Sequence, residues 1–145
     1  MKTINNYEVS NKIENVRLNS FKSDYSDSLL RSSDNISQRQ KRAETLLNYL
    51  CTKFKINNIT LLVTNKPRPC KGRGQICGWY VVNEKKIIIY NTTAKTNKTI
   101  SIKSFYDTLL HEFIHHYDYE VIGLTDSLHT SGFYKRITDL KNKLS

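Results

Sequence analysis

The chain has 145 residues, of which 23 are Lys or Arg and 13 are Asp or Glu, and its net charge at pH 7 is +10. Its length suits one domain, and no run approaches the roughly 18 apolar residues that a membrane-spanning helix needs. The first 20 residues lack the apolar core of a signal peptide and the cysteines number three, so we expect a cytoplasmic protein with reduced thiols.

The N-terminal quarter differs in composition from the rest of the chain. Residues 1–35 are rich in Asn, Ser, Lys and Asp and show no sustained apolar period, which predicts a mobile or loosely docked arm. They carry five basic and five acidic side chains, so the whole excess of +10 falls in residues 36–145, the predicted folded domain. Such a field attracts polyanions or acidic proteins, and it equally fits a solubilising surface.

A helix and three strands are predicted next. Apolar residues recur at helical spacing in SQRQKRAETLLNYLCTKFK, residues 37–55, which predicts an amphipathic helix. A first strand follows, because Ile59, Leu61 and Val63 alternate with other residues before a Pro-rich break. Two further β-rich runs, CKGRGQICGWYVV and KKIIIYN, are joined by Asn83–Glu84, a short connection that predicts an antiparallel hairpin.

Two helices are predicted in the last third of the chain. IKSFYDTLLHEFIHHYDYEVIG has helical length and ends at Gly123, a residue that commonly terminates helices. TSGFYKRITDLKNKL presents apolar residues on one face, with Thr130 or Ser131 as the N-terminal cap. The predicted fold class is therefore α+β, with an N-terminal helix, a three-stranded and mainly antiparallel sheet, a histidine-bearing helix and a C-terminal helix.

The four histidines all fall between residues 111 and 129. His111 and His115 are four residues apart, so on a helix both imidazoles project from one side and can bind one metal ion. Glu112 lies around the helix from them, where its carboxylate can reach a metal-bound water without binding the metal. This His-Glu-x-x-His pattern is typical of zinc metallopeptidases, and random shuffling of this composition would give it only about 0.003 times per chain.

A catalytic zinc site normally has three protein ligands and keeps a fourth position for water. One known pattern puts the third His at a position that is Val121 here, and no glutamate follows Glu120. His129 is therefore the expected third ligand, and a solvent-facing loop residue is the alternative. His116 points about 100° away from His115 around the helix, so we expect it to pack in the interior or to support the site.

At these residues the chain resembles a known family. HEFIHHYDYEVIGLTDSLHTSGFYKRI resembles the metal site of SprT-like zinc metallopeptidases, in which a third His follows the helix and Phe stands four residues later, here His129 and Phe133. GRGQICGWYVVNEKKIIIYN is similar to the family's glycine and aromatic residue before a strand. The resemblance covers roughly residues 38–144 and implies a zincin-like metalloprotease core. No cysteine follows Cys77, so the C-terminal zinc ribbon of some members is not expected.

The expected function is zinc-dependent hydrolysis of peptide bonds in a protein or peptide substrate. Zn²⁺ held by the three histidines lowers the pKa of its bound water from about 15.7 to roughly 7, and Glu112 accepts a proton as this water attacks the peptide carbonyl. The strand at residues 85–91 is expected to be a sheet edge with which an extended substrate pairs. The candidates for polarising the carbonyl, each also a candidate for packing, are Tyr117, Tyr119 and Tyr134.

Some members of the resembling family cut proteins attached to DNA, which fits the positive charge of this chain. Basic and aromatic residues that fit phosphates and bases, or equally a solvated rim, surround the predicted hairpin: Arg68, Lys71, Arg73, Lys85 and Lys86, with Trp79 and Tyr80. Two alternatives to an active peptidase stay open. One is a nucleic-acid-binding module with a structural metal, and the other is a partner-binding protein whose latent site is covered by the N-terminal arm.

Overall fold

A computed structural model describes residues 5–66, 78–93 and 98–145 of the chain. The fold class is α+β, as predicted, with helices packed against a small sheet. In the described residues, no helix combines the length and apolar character needed to cross a bilayer. The elements in chain order are α1 (Asn6–Lys12), α2 (Asp24–Leu30), α3 (Ile36–Phe54), β1 (Thr60–Thr64), β2 (Gly78–Val81), β3 (Lys86–Tyr90), α4 (Ile102–Tyr117) and α5 (Ser131–Lys143).

The three long helices begin and end where local chemistry favours it. The side chains of Asn35, Ser101 and Thr130 accept hydrogen bonds from backbone N–H groups in the first turns of α3, α4 and α5. After α4 the chain continues as one π-helical stretch, Asp118–Ile122, and stops at Gly123, whose φ of 79° is left-handed. The predicted helices over residues 37–55, 102–123 and 130–144 are therefore confirmed.

The sheet has the order β1-β3-β2, with β1 and β3 parallel and β2 and β3 antiparallel. The predicted hairpin is confirmed, since Val81 pairs with Lys86 across a turn in which Lys85 takes a left-handed φ of 48°. The prediction of a mainly antiparallel sheet is wrong, because the sheet is mixed. The prediction that residues 85–91 form an edge is also wrong. β3 holds the longest apolar run, and its central position buries Ile87 and Ile89 completely.

The N-terminal segment packs closely in the structure, whereas the sequence predicts a mobile or loosely docked arm over residues 1–35. Within the described residues 5–35, α1 contacts α5 and α2 contacts α3 and α4. Val16 and Leu29 are buried, and the Val16 N–H donates to Asp139 Oδ2 at 2.9 Å. The two helices have only seven residues each and contribute isolated apolar side chains, so no period reveals them in the sequence.

The core lies between the inner face of the sheet and α3, α4 and α5. α4 contacts β2, β3, α2 and α5, which makes it the central helix of the fold. Its completely buried side chains include Leu109, Leu110, Phe113 and Ile114. The residues between them, 111 and 112, lie at the helix surface that faces β2 and the loop before α5. The packing of α4 therefore fixes the direction in which the predicted site residues project.

Candidate metal centre

Three histidines converge at the C-terminal half of α4. His111 and His115 project from the helix, and His129 comes from the loop that precedes α5. One ring nitrogen from each of the three lies within 4.8 Å of the others, and the Nε2 atoms of His115 and His129 are 3.1 Å apart. Two nitrogens that bind one zinc ion at 2.0–2.1 Å in tetrahedral geometry lie about 3.3 Å apart. The structure thus brings the three predicted ligands together, and the separation of the His115 and His129 Nε2 atoms is close to this value.

One aromatic side chain packs against all three imidazoles. The ring centroid of Phe133 is 4.5 Å from that of His115, 5.0 Å from His111 and 5.1 Å from His129. Phe133 is completely buried in the first turn of α5, directly after the Thr130 cap. It therefore forms an apolar floor below the cluster that limits the orientations available to the three rings.

Burial keeps two of the imidazoles neutral. Removal from water, with a smaller contribution from His129, lowers the pKa of His111 to about 4. Removal from water also lowers the pKa of His115 to about 3, with His111, His129 and Arg136 adding to the effect. Neutral imidazoles carry the lone pairs that metal ions bind. In the metal-free protein these two side chains are therefore ready to bind a cation at neutral pH.

Glu112 lies beside the cluster and is only 4% exposed. Its Oε2 is 4.0 Å from His111 Nε2. Burial raises the pKa of Glu112 to about 8, while a hydrogen bond from the Tyr80 backbone N–H acts in the opposite direction. The carboxyl group is thus held between α4 and β2, beside His111, and its raised pKa favours the protonated form at neutral pH in the metal-free protein. A cation held by the neighbouring imidazoles would favour the ionised form that a general base requires.

Gly78 permits the close approach of β2 to this part of α4. A Cβ atom at position 78 would lie 2.6 Å from Thr108 Cγ2 and 3.2 Å from Glu112 Cγ. The sequence shows a glycine before a strand, but its role depends on which helix packs there. An alanine at this position would press directly on the side chain of Glu112.

A cleft of about 220 Å³ opens over the cluster. One wall is formed by the three histidines with Glu112, and the other by β2 with Val82; Tyr119 and Ser127 complete the lining. All these residues fall between positions 78 and 129, so the described part of the N-terminal segment does not line the cleft. Residues 5–35 therefore do not cover the cleft in the way that the latent-site alternative requires.

A buried polar network supports His115 from behind. Its Nδ1 is 2.7 Å from Ser127 Oγ, and Ser127 Oγ donates to Asp118 Oδ2 at 2.7 Å. Asp118 is in turn paired with Arg136 of α5, at 2.9 Å between Nη2 and Oδ2. The sequence does not predict this network, although one signal exists: Arg136 interrupts the otherwise apolar face that α5 turns to the core.

The fourth histidine and the tyrosines have different environments. His116 is buried away from the cluster, with Nδ1 at 2.7 Å from the Tyr80 hydroxyl and Nε2 at 2.8 Å from the Asn57 carbonyl, as expected for a packing residue. Tyr117 is buried, and its hydroxyl accepts the Arg17 backbone N–H. Of the predicted tyrosines, Tyr119 lines the cleft and Tyr134, half-exposed, has its ring 6.1 Å from His111 and 5.9 Å from His129.

The predicted basic surface is only partly described. Three of its basic residues lie outside the described residues: Arg68, Lys71 and Arg73. Lys85 Nζ is 3.5 Å from Glu120 Oε1, and Lys86 is the first residue of β3. Trp79 is 55% exposed, so its ring is available to a partner. The stacking role considered for Tyr80 is contradicted, because its ring is buried and its hydroxyl contacts His116.

Comparison with known proteins does not identify a relative: no family model matches the chain, and neither does any curated protein or solved structure. The residues of this centre and their geometry are therefore the features that indicate a function.

Proposed function

We propose that this protein is a zinc-dependent metalloendopeptidase of the SprT-like, zincin-like type. His111, His115 and His129 hold the metal, and Glu112 is the general base. The observation that carries the proposal is the convergence of three imidazoles, from α4 and from a separate loop, within 4.8 Å and beside a buried carboxylate. The fold class, α+β with the His-Glu-x-x-His pattern on a central helix, is compatible with this type.

The composition of the donor set supports a catalytic rather than a structural metal. Structural zinc sites are usually closed by four protein ligands, most of them cysteines, whereas three histidines with one open position are typical of catalytic zinc. In the described residues the cluster comprises only the three histidines. When bound there, zinc supplies a Lewis acid and brings a water molecule to a pKa of roughly 7.

Glu112 performs the proton transfers. Its carboxylate takes a proton from the attacking water and later delivers it to the nitrogen of the leaving amine. The hydrogen bond from the Tyr80 N–H orients this carboxylate, and the neighbouring imidazole of His111 fixes its distance from the cluster. The packing of β2 against α4 at Gly78 thereby holds the base in position.

The substrate is a protein segment in an extended conformation. Among the residues that the structure describes, β2 is an edge strand in the order β1-β3-β2, and Gly78, Trp79 and Tyr80 line the cleft. The backbone of an extended peptide can pair with such an edge, as an added strand next to the metal. The exposed side chains of Trp79 and Val82 offer it apolar contacts. We therefore propose β2 for pairing with the substrate, in place of β3, for which the sequence predicts this role.

The test compares Glu112→Gln with Glu120→Gln, a matched change on the same helical extension. We expect wild type and both variants to bind about one equivalent of zinc, because neither glutamate is a ligand. Hydrolysis of an unfolded protein should fall at least about 100-fold in Glu112→Gln and persist in Glu120→Gln. Equal hydrolysis by Glu112→Gln and wild type would exclude Glu112 as the base.

A second candidate, binding of single-stranded nucleic acid, is favoured by the net charge of +10 and by exposed Trp79 on β2, which pairs with the strand that Lys86 begins. Phosphate contacts release counterions, so the logarithm of the affinity should fall linearly with the logarithm of the salt concentration. Replacing Trp79 by Ala should weaken binding by about 1–3 kcal/mol if a base stacks on it. Affinity that does not change with salt would exclude this candidate.

A further inference from the structure

A buried ion pair lies behind the histidine cluster. Arg136 and Asp118 are both 0% exposed and are joined by two hydrogen bonds, Nε to Oδ1 at 3.1 Å and Nη2 to Oδ2 at 2.9 Å. Replacing a buried pair of this kind by apolar residues is often neutral or stabilising. We therefore expect a small net contribution to fold stability, and the position of the pair at the end of α4, behind the histidine cluster, points to a second role.

The Asp118–Arg136 pair determines the direction of the hydrogen bonds made by the Ser127 hydroxyl. Burial raises the pKa of Asp118, while Arg136 and Ser127 act in the opposite direction. Arg136 donates to both carboxyl oxygens, an arrangement that fits the ionised form. As a carboxylate Asp118 can only accept, and it accepts the single hydroxyl proton of Ser127. The Ser127 Oγ, 2.7 Å from His115 Nδ1, can then only accept from that ring nitrogen. Nδ1 of His115 must carry the ring proton, so Nε2 keeps its lone pair. Nε2 is the atom that points to His129.

We propose that Ser127, Asp118 and Arg136 are positioning residues that fix the tautomer and the orientation of His115, so that its Nε2 is free for the metal. The inference rests on the proposed function in one respect, the identity of His115 as a ligand. The arrangement of hydrogen-bond donors and acceptors holds whether or not a metal is bound. A ligand histidine whose second nitrogen donates to an acceptor is held in register and is a better base toward the metal.

The N-terminal segment is part of the same device. A guanidinium has five N–H donors, and Arg136 uses two of them on Asp118. The other three go to the Ser10 carbonyl and the Ile13 carbonyl, both at 2.6 Å, and to Ser10 Oγ at 2.9 Å. Residues 10–13 thus satisfy most of the charged group that holds Asp118 in place.

Ser10 also links the device to the second half of the cluster. Its Oγ is 2.8 Å from the Oγ1 of Thr130, which caps α5 and directly follows His129. One network of hydrogen bonds therefore joins His115, through Ser127, to the residue next to His129. The close docking of residues 10–13 is consequently a condition for a well-formed site, and not only a feature of the fold.

The first experiment reads the tautomer directly. In ¹⁵N NMR spectra of the metal-free protein near neutral pH, protonated and unprotonated imidazole nitrogens have separate chemical shifts. We expect His115 of the wild type to carry its proton on Nδ1, and to lose this preference in Ser127→Ala. Ser127→Thr, which keeps a hydroxyl, should behave as the wild type. A proton on Nε2 of His115 in the wild type would overturn the inference.

The second experiment measures zinc affinity by competition with a coloured chelator. Ser127→Ala should lower the affinity about 10- to 100-fold, the usual effect of removing a partner of a metal ligand. Ser10→Ala should lower it in the same direction. Ser131→Ala, the same chemical change at an exposed position of α5, should leave it unchanged. Equal affinity in wild type and Ser127→Ala would overturn the inference.

The two experiments separate the inference from the proposed function. A wild type that binds no zinc, yet has His115 protonated on Nδ1, would contradict the metallopeptidase and support the role of Ser127 in fixing the ring. A wild type that binds zinc and has no tautomer preference would leave the metal site standing and reject the positioning device. Unfolding curves of each variant show whether the change in affinity occurs in folded protein.

Discussion

At the scale of single residues, the candidate site depends on side chains whose surroundings remove their usual freedom. The three imidazoles share Phe133 as a floor, and the fourth histidine, His116, is held separately by Tyr80 and Asn57. Four histidines in one window therefore divide into a cluster of three and a packing residue. The difference between them comes from neighbours far away in the sequence.

Phe133 should matter for the metal-free protein as well as for the site. Its ring is completely buried, so Phe133→Ala should lower the free energy of unfolding by about 3–5 kcal/mol, from lost burial and a residual cavity. Urea denaturation in the presence of a chelator measures this effect. Tyr134→Ala, at the next position and half-exposed, should change stability much less. An equal decrease in the free energy of unfolding in both variants would contradict the burial of Phe133 in the core.

The position of the two histidines on one helix face follows from the sequence, because the period of a helix fixes it. Glu112 follows for the same reason. The sequence predicts His129 as the third ligand only because Val121 and Glu120 do not fit the other known patterns. The distance of His129 from the other two rings depends on the fold. Ser127, Asp118 and Arg136 could not be predicted as a group, since each is an ordinary loop or helix residue until α5 packs against α4.

At the scale of elements, the long helices and the hairpin were predictable, and the arrangement of strands was not. Apolar period predicts α3, α4 and α5, and a short polar connection predicts the β2–β3 hairpin. Whether β2 or β3 pairs with β1 depends on which strand lies in the centre of the sheet. That position depends on contacts between residues far apart in the sequence. α1 and α2 are too short to show a period, and their docking depends on backbone groups.

The close approach of α1 to α5 predicts a specific intolerance at Gly132. A Cβ atom there would lie 2.2 Å from the Ser10 carbonyl oxygen and 2.9 Å from that of Asn11, so the two elements must separate in Gly132→Ala. We expect a loss of about 1–3 kcal/mol, typical of overpacking. The midpoint of urea denaturation measures it. Ser131→Ala, one residue earlier and exposed, should unfold as the wild type does; an unchanged midpoint in Gly132→Ala would contradict the described contact.

The attachment of the N-terminal segment to α5 should depend on pH. Burial alone would raise the pKa of Asp139, but hydrogen bonds from Lys143 and the Val16 N–H outweigh it and hold the pKa below its ordinary value. A carboxyl group with a lowered pKa in the folded state stabilises the protein above its ordinary pKa of about 3.9. This contribution is lost as the pH falls through the lowered value.

Asp139→Asn provides the comparison for this pH dependence. The wild type should be more stable than Asp139→Asn at neutral pH, and the difference should shrink as the pH falls from about 5 toward 2. Urea denaturation at a series of pH values measures both proteins. A difference that stays constant over this interval would show that the Asp139 carboxylate is not held in the way described.

At the scale of the whole molecule, the structure predicts that metal adds to stability without creating the fold. The core between the sheet and the helices is built from apolar side chains, and Phe133 of that core also contacts the three rings of the cluster. Zinc at 100 times its dissociation constant should add about 2.7 kcal/mol to the free energy of unfolding. A chelator should remove this increment and leave a folded protein, observed by circular dichroism and thermal unfolding. Collapse on chelation would favour the structural-metal alternative.

The contacts between the two ends of the chain have a consequence for how the molecule is made. Residues 10–17 bond to partners that lie 100 to 127 positions later, among residues 117–143. During synthesis, at roughly 5–20 residues per second, the first segment is made about 5 to 25 seconds before its partners. The network that joins residues 10–17 to the histidine cluster can therefore form only after residues 117–143 have been synthesised.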